Sequence, residues 1–178
     1  MLDKTARIAV LVSGGGTNLQ AILDAQKSGV IKSGRVSLVI SNNENAYALT
    51  RAANAGVECA VIGRSPDFED KIINCLESHG IDLIVLAGFM CILSEDFTAR
   101  YPERIINVHP SLIPSFCGRG FYGLHVHEAA LARGVKVTGA TVHFVNEIPD
   151  GGRIIAQKAV EIEDGDTPET LQKRVMTQ

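Results

Sequence analysis

The sequence predicts an α/β fold: a doubly wound, mostly parallel, Rossmann-like sheet with a late antiparallel strand pair. Short apolar runs rich in β-branched residues alternate with amphipathic stretches at helical spacing through most of the chain. Strands that alternate with helices are typical of a parallel sheet covered on both faces. Late in the chain, two segments alternate apolar with polar residues around a glycine-containing turn, which indicates a hairpin.

Predicted strands and helices alternate along the first part of the chain. The strands are short apolar runs at residues 7–12, 36–41, 58–63, 82–88 and 104–109. The helices cover residues 18–29, 45–56, 67–80, 94–101 and 123–134. Gly29 and Gly56 end the first two helices. Ser94 can cap the fourth, because its hydroxyl accepts hydrogen bonds from main-chain N–H groups.

The remaining segments predict the antiparallel pair and a last helix. Residues 138–146 and 153–162 form the pair, on either side of a turn that contains Asp150. A closing helix begins at Thr167 and Pro168, residue types that suit a helix start. With 46% hydrophobic and 21% charged residues, the 178-residue chain is expected to form one domain with its own core.

Charge, hydropathy and cysteine spacing argue against several classes of protein. The net charge of −3 indicates no nucleic-acid-binding surface, and no apolar stretch is long enough to span a bilayer. The cysteines show neither CxxC nor metal-ligand spacing. Three of them lie among apolar residues and are expected to be buried thiols, which suits a reducing cytoplasm. The four cysteines are Cys59, Cys75, Cys91 and Cys117.

A glycine-rich segment, Ser13 to Asn18, lies between the first predicted strand and the first predicted helix. Glycines let main-chain amides approach an anion, and a helix start favours negative charge. The segment lacks the Gly-Lys-Ser/Thr of a P-loop, and Leu19 replaces the third glycine of a dinucleotide-binding fingerprint. It is therefore either a tight turn or a monophosphate site, and three consecutive glycines favour the phosphate.

Asn107 and His109 end the fifth predicted strand and lie on the same side of it, because side chains alternate along a strand. An amide can donate to a developing oxyanion, and an imidazole moves protons near neutral pH. The alternative is a strand-end pair that caps the next loop. Pro110 and Pro114 stiffen that loop, and the Ile113-Pro114 bond is a candidate for the cis form.

The other polar candidates are weaker when taken alone. Asp150 is an ordinary turn residue unless the fold brings it to His109. His143 is expected to be a hydrogen-bonded interior histidine. His125 and His127 are two residues apart on a predicted helix, so they do not share a face. No HxxxH, HExxH or CxxC motif occurs, and no metal site is expected.

Phe89 to Leu93 follow the fourth predicted strand and are either core residues or the lining of an apolar slot for a flat ring system. This segment, the glycine-rich segment and Asn107–His109 each come directly after or at the end of a strand. Doubly wound sheets bind ligands beyond the carboxyl ends of their strands. We therefore expect the three segments to contribute to one site.

Together these segments resemble the folate-dependent glycinamide ribonucleotide formyltransferases of purine synthesis. The matches run in family order over nearly the whole chain: IAVLVSGGGTNLQAIL, DLIVLAGFMCILS, INVHPSLIPSF, GLHVHEAAL, GATVHFV and DGGRIIAQKAV. The resemblance implies the formyltransferase fold in a single domain, residues 1–178. Family members continue past this endpoint with a short tail that helps to hold the glycinamide substrate, so the chain is expected to lack that tail.

The resemblance also implies residue roles. The glycine-rich turn would hold a ribose phosphate through Gly16, Thr17 and Asn18. The folate pteridine would lie against the segment Met90 to Leu93 and the loop before Asp150. The implied cofactor-binding residues are Arg64, Met90, Cys91, Ile92, Leu93 and Asn107. The implied catalytic residues are Asn107, which binds the formyl oxygen, His109, which assists proton transfer, and Asp150, which tunes that histidine.

The implied reaction moves a formyl group from N10-formyltetrahydrofolate, the formyl donor, to the amine of phosphoribosyl glycinamide in de novo purine (IMP) biosynthesis. It would pass through a tetrahedral intermediate assisted by the asparagine, histidine and aspartate. The expected protein is a cytoplasmic monomer or homodimer that acts on two small molecules. No metal, nucleic-acid partner or membrane is expected.

Three alternatives remain open. A formyltetrahydrofolate hydrolase would need an extra domain before the first strand, where only six residues stand. A methionyl-tRNA formyltransferase would need a basic second domain, whereas this chain is acidic. A non-catalytic nucleotide-binding module would bind ligand without turnover. The segment 117–123 is longer than in the shortest family members, and we interpret it as a loop variant near the site.

Overall fold

The computed structural model describes residues 5–177. Met1 to Lys4, Gln178 at the end of the predicted closing helix, and the expected tail lie outside the described residues. The strands are β1 (Ala6–Val12), β2 (Gly34–Ser41), β3 (Glu58–Val61), β4 (Leu83–Leu86), β5 (Ile105–His109), β6 (Val137–Phe144) and β7 (Ile154–Glu161). The helices are α1 (Thr17–Lys27), α2 (Tyr47–Asn54), α3 (Phe68–Ser78), α4 (Glu95–Arg100), α5 (Leu124–Arg133) and α6 (Pro168–Met176).

The strand order in the sheet is β3-β2-β1-β4-β5-β6-β7. β1 is parallel to β2 and β4, and β2 is parallel to β3, whereas β6 is antiparallel to both β5 and β7. The predicted mostly parallel sheet with a late antiparallel pair is confirmed. The antiparallel pairing also includes β5, which the sequence pattern did not indicate. The chain divides into two compact units, unit 1 (Met1–Ile105) and unit 2 (Ile106–Gln178).

In unit 1, β1 is the central strand, with β2 on one side and β4 on the other. The side chains of Ala9, Val10, Leu11 and Val12 have no solvent exposure. A parallel strand covered on both faces has no side that prefers polar residues, which explains the continuous apolar run. β3 lies at the edge of the sheet, and its first two residues, Glu58 and Cys59, are exposed.

In unit 2, β6 lies between β5 and β7 and alternates buried with less buried residues. Helix α6 buries Leu171 and Val175 against Val160 of β7, forming a small apolar cluster. The rest of β7 is exposed. Helix α5 is covered at Val126 and Ala130. The hairpin therefore gains its apolar contacts chiefly on the side where the helices pack.

Most local predictions are confirmed. Ser94 caps α4 by accepting a hydrogen bond from the Phe97 amide, and Thr167 opens α6 in a reciprocal capping box with Thr170. The Ile113-Pro114 peptide is cis. The prediction of buried thiols is wrong, because Cys59 is exposed and the other three cysteines are only half-buried. Between residues 5 and 177, no helix is long and apolar enough to cross a membrane.

Candidate active site

The predicted pair at the end of β5 lies in unit 2. Asn107 and His109 are on the same face of the strand, and the register places Asn107 opposite His143 and His109 opposite Thr141 of β6. His109 is buried, whereas Asn107 is half-buried. Strand pairing, rather than proximity along the chain, therefore sets an amide beside an imidazole.

His143 is part of this site, although the sequence indicated only an interior histidine. Its Nδ1 lies 2.8 Å from the carbonyl oxygen of Phe144. A carbonyl can only accept, so Nδ1 carries a proton and donates it. Nε2 lies 3.3 Å from Nδ2 of Asn107 and, in the neutral ring, accepts an amide proton. His143 therefore orients the amide of Asn107.

Asp150 lies between the two histidines. Its Oδ2 is 3.5 Å from Nδ1 of His109, and its Oδ1 is 3.6 Å from Nε2 of His143. The Asp150 side chain is only 14% exposed, and its backbone adopts a left-handed conformation with φ 56°. The turn folds back tightly, since a Cβ at Gly152 would stand 1.8 Å from the Phe144 carbonyl oxygen. The conditional prediction that Asp150 reaches His109 is met in the structure.

The environment of Asp150 favours its ionised form. Burial is the largest single influence and opposes ionisation. A protonated His143 donates to Asp150 through Nε2, which then no longer accepts from Asn107. That donation, the Gly118 amide and the charges of His109 and His143 together outweigh burial, so the pKa of Asp150 is lowered. The carboxylate is therefore charged at neutral pH, beside two imidazoles.

This cluster has the parts needed for acyl-type transfer with proton movement. An amide nitrogen carries two protons, so the contact of Asn107 with His143 leaves a second proton to donate to a ligand oxygen. His109 can carry a proton, and Asp150 can stabilise the imidazolium that results. Among residues 5–177, no group of three or more His, Cys, Asp or Glu side chains is placed to hold a metal ion.

The glycine-rich turn belongs to unit 1. Gly16 has φ 72° and precedes the first residue of α1, and a Cβ there would stand 2.6 Å from Cβ of Ala48. Nε of Arg51 donates to the carbonyl oxygen of Gly15 at 2.8 Å. Thr17 is exposed and Asn18 is half-buried. The structure thus presents a helix start with a cation beside it, and its assignment to a phosphate stays a prediction.

The predicted folate-binding segment also belongs to unit 1. Met90 and Ile92 are 50% and 70% exposed, whereas Leu93 is buried. Cys91 is half-buried. Arg64 donates from its guanidinium to the carbonyl oxygen of Met90 at 2.8 Å. The structure therefore brings two of the predicted cofactor residues together, and the single shared site stays a prediction.

The two histidines of α5 differ as their spacing predicts. His125 is exposed and pairs with Glu128, whereas His127 is fully buried. Neither ring nitrogen of His127 has a hydrogen-bond partner within the described part of the chain. Burial, and to a smaller extent the charge of His109, lowers the pKa of His127. His127 is thus a neutral neighbour of the site.

Comparison with known proteins identifies relatives over nearly the whole chain. The family model described as formyl transferase matches residues 6–178. Phosphoribosylglycinamide formyltransferase of Haemophilus influenzae is 44% identical over 97% of this chain and 81% of that enzyme. The trifunctional purine biosynthetic protein adenosine-3 of Homo sapiens is also 44% identical over 97% of this chain, which spans only 17% of the human protein.

Solved structures agree with this similarity. Glycinamide ribonucleotide transformylase 1 from Symbiobacterium toebii superimposes with a TM-score of 0.89 at 44% sequence identity, covering 97% of this chain and 81% of that chain. At that identity and coverage, the match extends to the sequence as well as to the fold.

Proposed function

The chain belongs to the formyl transferase family, and on that premise we propose that it formylates phosphoribosyl glycinamide. The formyl donor in this proposal is N10-formyltetrahydrofolate, and the reaction is a step of de novo purine biosynthesis. The name of the H. influenzae relative supports the choice of acceptor. We further propose that residues 1–178 act as one cytoplasmic formyltransferase domain, as a monomer or homodimer.

The observation that carries the proposal is the cluster of Asn107, His109, His143 and Asp150 in unit 2. Attack of a neutral amine on the formyl carbon moves negative charge onto the formyl oxygen. The second amide proton of Asn107 would donate to that oxygen. Loss of one such donor typically lowers kcat by about 10²- to 10³-fold.

His109 and Asp150 would carry out the proton transfers. The attacking amine must lose a proton, and the leaving folate nitrogen must gain one. An imidazole can carry that proton, directly or through a water molecule, and typically contributes about 10²- to 10⁴-fold. The ionised Asp150 would stabilise the protonated ring and hold it in place.

The proposed binding groups are in the glycine-rich turn and in the segment Met90–Leu93. We assign the phosphate of the acceptor to the main chain and side chains of Gly16, Thr17 and Asn18, because α1 starts there with no side-chain cap and the first amides of a helix favour an anion. We assign the pteridine to the segment Met90–Leu93, with Arg64 beside its first carbonyl. These assignments follow the family resemblance and need separate tests.

A coupled set of absorbance assays tests the function. The protein is mixed with N10-formyltetrahydrofolate, and release of the deformylated folate is followed with and without phosphoribosyl glycinamide. Turnover that requires the glycinamide supports the proposal. Folate release at the same rate without it would indicate a hydrolase instead. Turnover only with methionyl-tRNA would indicate the tRNA enzyme, and binding without any turnover would leave a binding module. The Asp150→Asn variant, which keeps the side-chain shape, serves as the inactive control.

A further inference from the structure

The loop formed by residues 116–123 contacts both His109 and Asp150 through its main chain. Phe116 and Gly118 have left-handed φ angles of 49° and 86°. The rings of Phe116 and Phe121 meet edge to face, with centroids 6.3 Å apart. The Phe121 amide also donates to the Gly118 carbonyl oxygen at 3.2 Å. These contacts hold the loop in one shape from within.

The first main-chain contact is with His109. Nε2 of His109 lies 2.8 Å from the carbonyl oxygen of Phe116. Because that oxygen can only accept, Nε2 carries a proton and donates it. The ring is thereby fixed in orientation, with Nδ1 turned toward Oδ2 of Asp150 at 3.5 Å. Because Nε2 keeps its proton in this arrangement, Nδ1 can donate to the carboxylate only when the ring is protonated.

The second main-chain contact is with Asp150. The amide of Gly118 donates to Oδ2 of Asp150 at 2.8 Å. This is the same oxygen that faces Nδ1 of His109. The Phe116 carbonyl contacts His109, His109 contacts Asp150, and Asp150 contacts the Gly118 amide. The chain of contacts therefore starts and ends within three residues of the loop.

We propose that the main chain of Phe116–Gly118, here called the 116–118 bridge, positions the His109–Asp150 pair for proton transfer. The inference rests on the proposed function, since it assigns a role within that reaction. The bridge uses a carbonyl to orient the donor side of the ring and an amide to anchor the carboxylate. Its two hydrogen bonds use only main-chain atoms, while the ring of Phe116 and the glycine that the left-handed φ at residue 118 favours support the shape of the loop.

The electrostatics around Asp150 are consistent with this role. The titratable groups that interact electrostatically with the carboxylate are His109, His143 and the Cys117 thiol, and His127 interacts in turn with His109. Burial, together with the charge of Asp150, raises the pKa of Cys117, so that thiol stays neutral beside the carboxylate. The Gly118 amide helps to lower the pKa of Asp150.

The first test uses the wild-type protein and does not depend on catalysis. The carboxyl carbon of Asp150 and the amide proton of Gly118 are followed by NMR as pH is lowered. We expect both signals to shift with the same midpoint, and the Gly118 shift to vanish in Asp150→Asn. The amide of Gly134, which donates to the Leu131 carbonyl, is the control. If the amide proton shift of Gly118 does not change as Asp150 titrates, the proposed bridge is wrong.

The second test removes the amide donor. Gly118→Pro eliminates the N–H group that bonds to Asp150, and Gly120→Pro is the control at a second loop glycine. Proline fixes φ at about −65°, so both variants lose a positive φ, 86° at residue 118 and 91° at residue 120, and only the loss of the Asp150 donor differs between them. We expect Gly118→Pro to move the Asp150 titration to higher pH. It should also lower kcat about a hundredfold with KM little changed, as misplacement by about 1 Å can do. Gly120→Pro should leave the Asp150 titration in place.

The two failures are distinguishable. If the NMR coupling is found but no formyl transfer occurs, the contact between Gly118 and Asp150 stands, and its role in formyl transfer fails together with the proposed function. If formyl transfer occurs and Gly118→Pro matches Gly120→Pro in both the titration and kcat, the function stands and the bridge is wrong. Should Gly118→Pro not fold, the wild-type NMR titration still decides.

Discussion

Nδ2 of Asn107 lies 3.3 Å from Nε2 of His143, directly across the β5–β6 pair. This contact uses one amide proton and fixes the plane of the side chain, so the second amide proton has a defined direction. His143 is in turn held by the Phe144 carbonyl. A main-chain group therefore aims a side-chain donor through one intervening histidine.

Removal of that donor should affect catalysis more than binding. We expect Asn107→Ala to lower kcat by about 10²- to 10³-fold, the usual result of losing one donor to a developing oxyanion. The neighbouring Val108 is 36% exposed and lies on the opposite face of β5, so Val108→Ala is the matched control. Steady-state kinetics check this. A variant at Asn107 that keeps its kcat would show that the amide does not serve the transition state.

His109 and Asp150 should behave as one unit. We expect His109→Ala and Asp150→Asn each to lower kcat by about 10²- to 10⁴-fold, with the double variant little worse than either single one. Glu128→Gln, on an exposed part of α5, is the control. Losses that multiply in the double variant would mean that the two side chains act independently, despite the 3.5 Å between them.

The phosphate assignment can be tested at Gly16. A methyl group at this position meets Ala48 at 2.6 Å and must also adopt a φ of 72°. Gly56→Ala carries a similar φ of 68° in open space, so it isolates the backbone cost. Crowding adds about 1–3 kcal/mol of destabilisation for Gly16→Ala. We expect the KM for phosphoribosyl glycinamide to rise while the KM for the folate stays unchanged. A rise confined to the folate KM would mean that the turn serves the folate and not the phosphate of the acceptor.

The folate assignment depends on Arg64. Loss of its guanidinium frees the Met90 carbonyl and should loosen the segment that we assign to the pteridine. We expect Arg64→Ala to raise the KM for N10-formyltetrahydrofolate roughly tenfold, the effect of about 1.4 kcal/mol of binding free energy. Arg35→Ala, at an exposed position near the start of β2, is the control. Equal folate KM values for the two variants would mean that Arg64 does not contribute to folate binding.

The start of α6 should make stability depend on pH. Asp166 bonds to Arg174 at 2.6 and 2.8 Å, and this contact with Arg174 is the main reason that the pKa of Asp166 is far below its usual range. Because the folded state depresses this pKa, the stabilisation is present above the unfolded value of about 3.9 and is lost as pH falls toward the folded value.

The measurement is the melting temperature of Asp166→Asn against pH. We expect a lower Tm than wild type at pH 7 and a difference that narrows as pH falls below about 4. Asp164→Asn, at an exposed position in the same turn, should show no such narrowing. A Tm difference that is constant with pH would mean that the charge of Asp166 does not contribute.

The order and type of the elements followed from local sequence. The run of residues 7–12 predicted a buried strand because it is short, rich in β-branched residues and followed by a glycine cluster. Ser94 and Thr167 marked helix starts because a hydroxyl at that position accepts a main-chain N–H. These signals depend only on neighbours along the chain, so they predict strands and helix starts without any knowledge of tertiary contacts. Burial of the cysteines depended on distant packing, and that prediction was wrong.

Only the tertiary structure determined which residues contact one another at the site. His143 joins Asn107 through the β5–β6 register, and which residues of two strands pair is set by the folded sheet rather than by either strand's own sequence. Asp150 reaches both histidines because its φ of 56° turns the chain back on itself. The 116–118 bridge acts through a carbonyl and an amide that every residue except proline carries. The sequence does not indicate where such main-chain groups point, because their direction is set only when the loop folds.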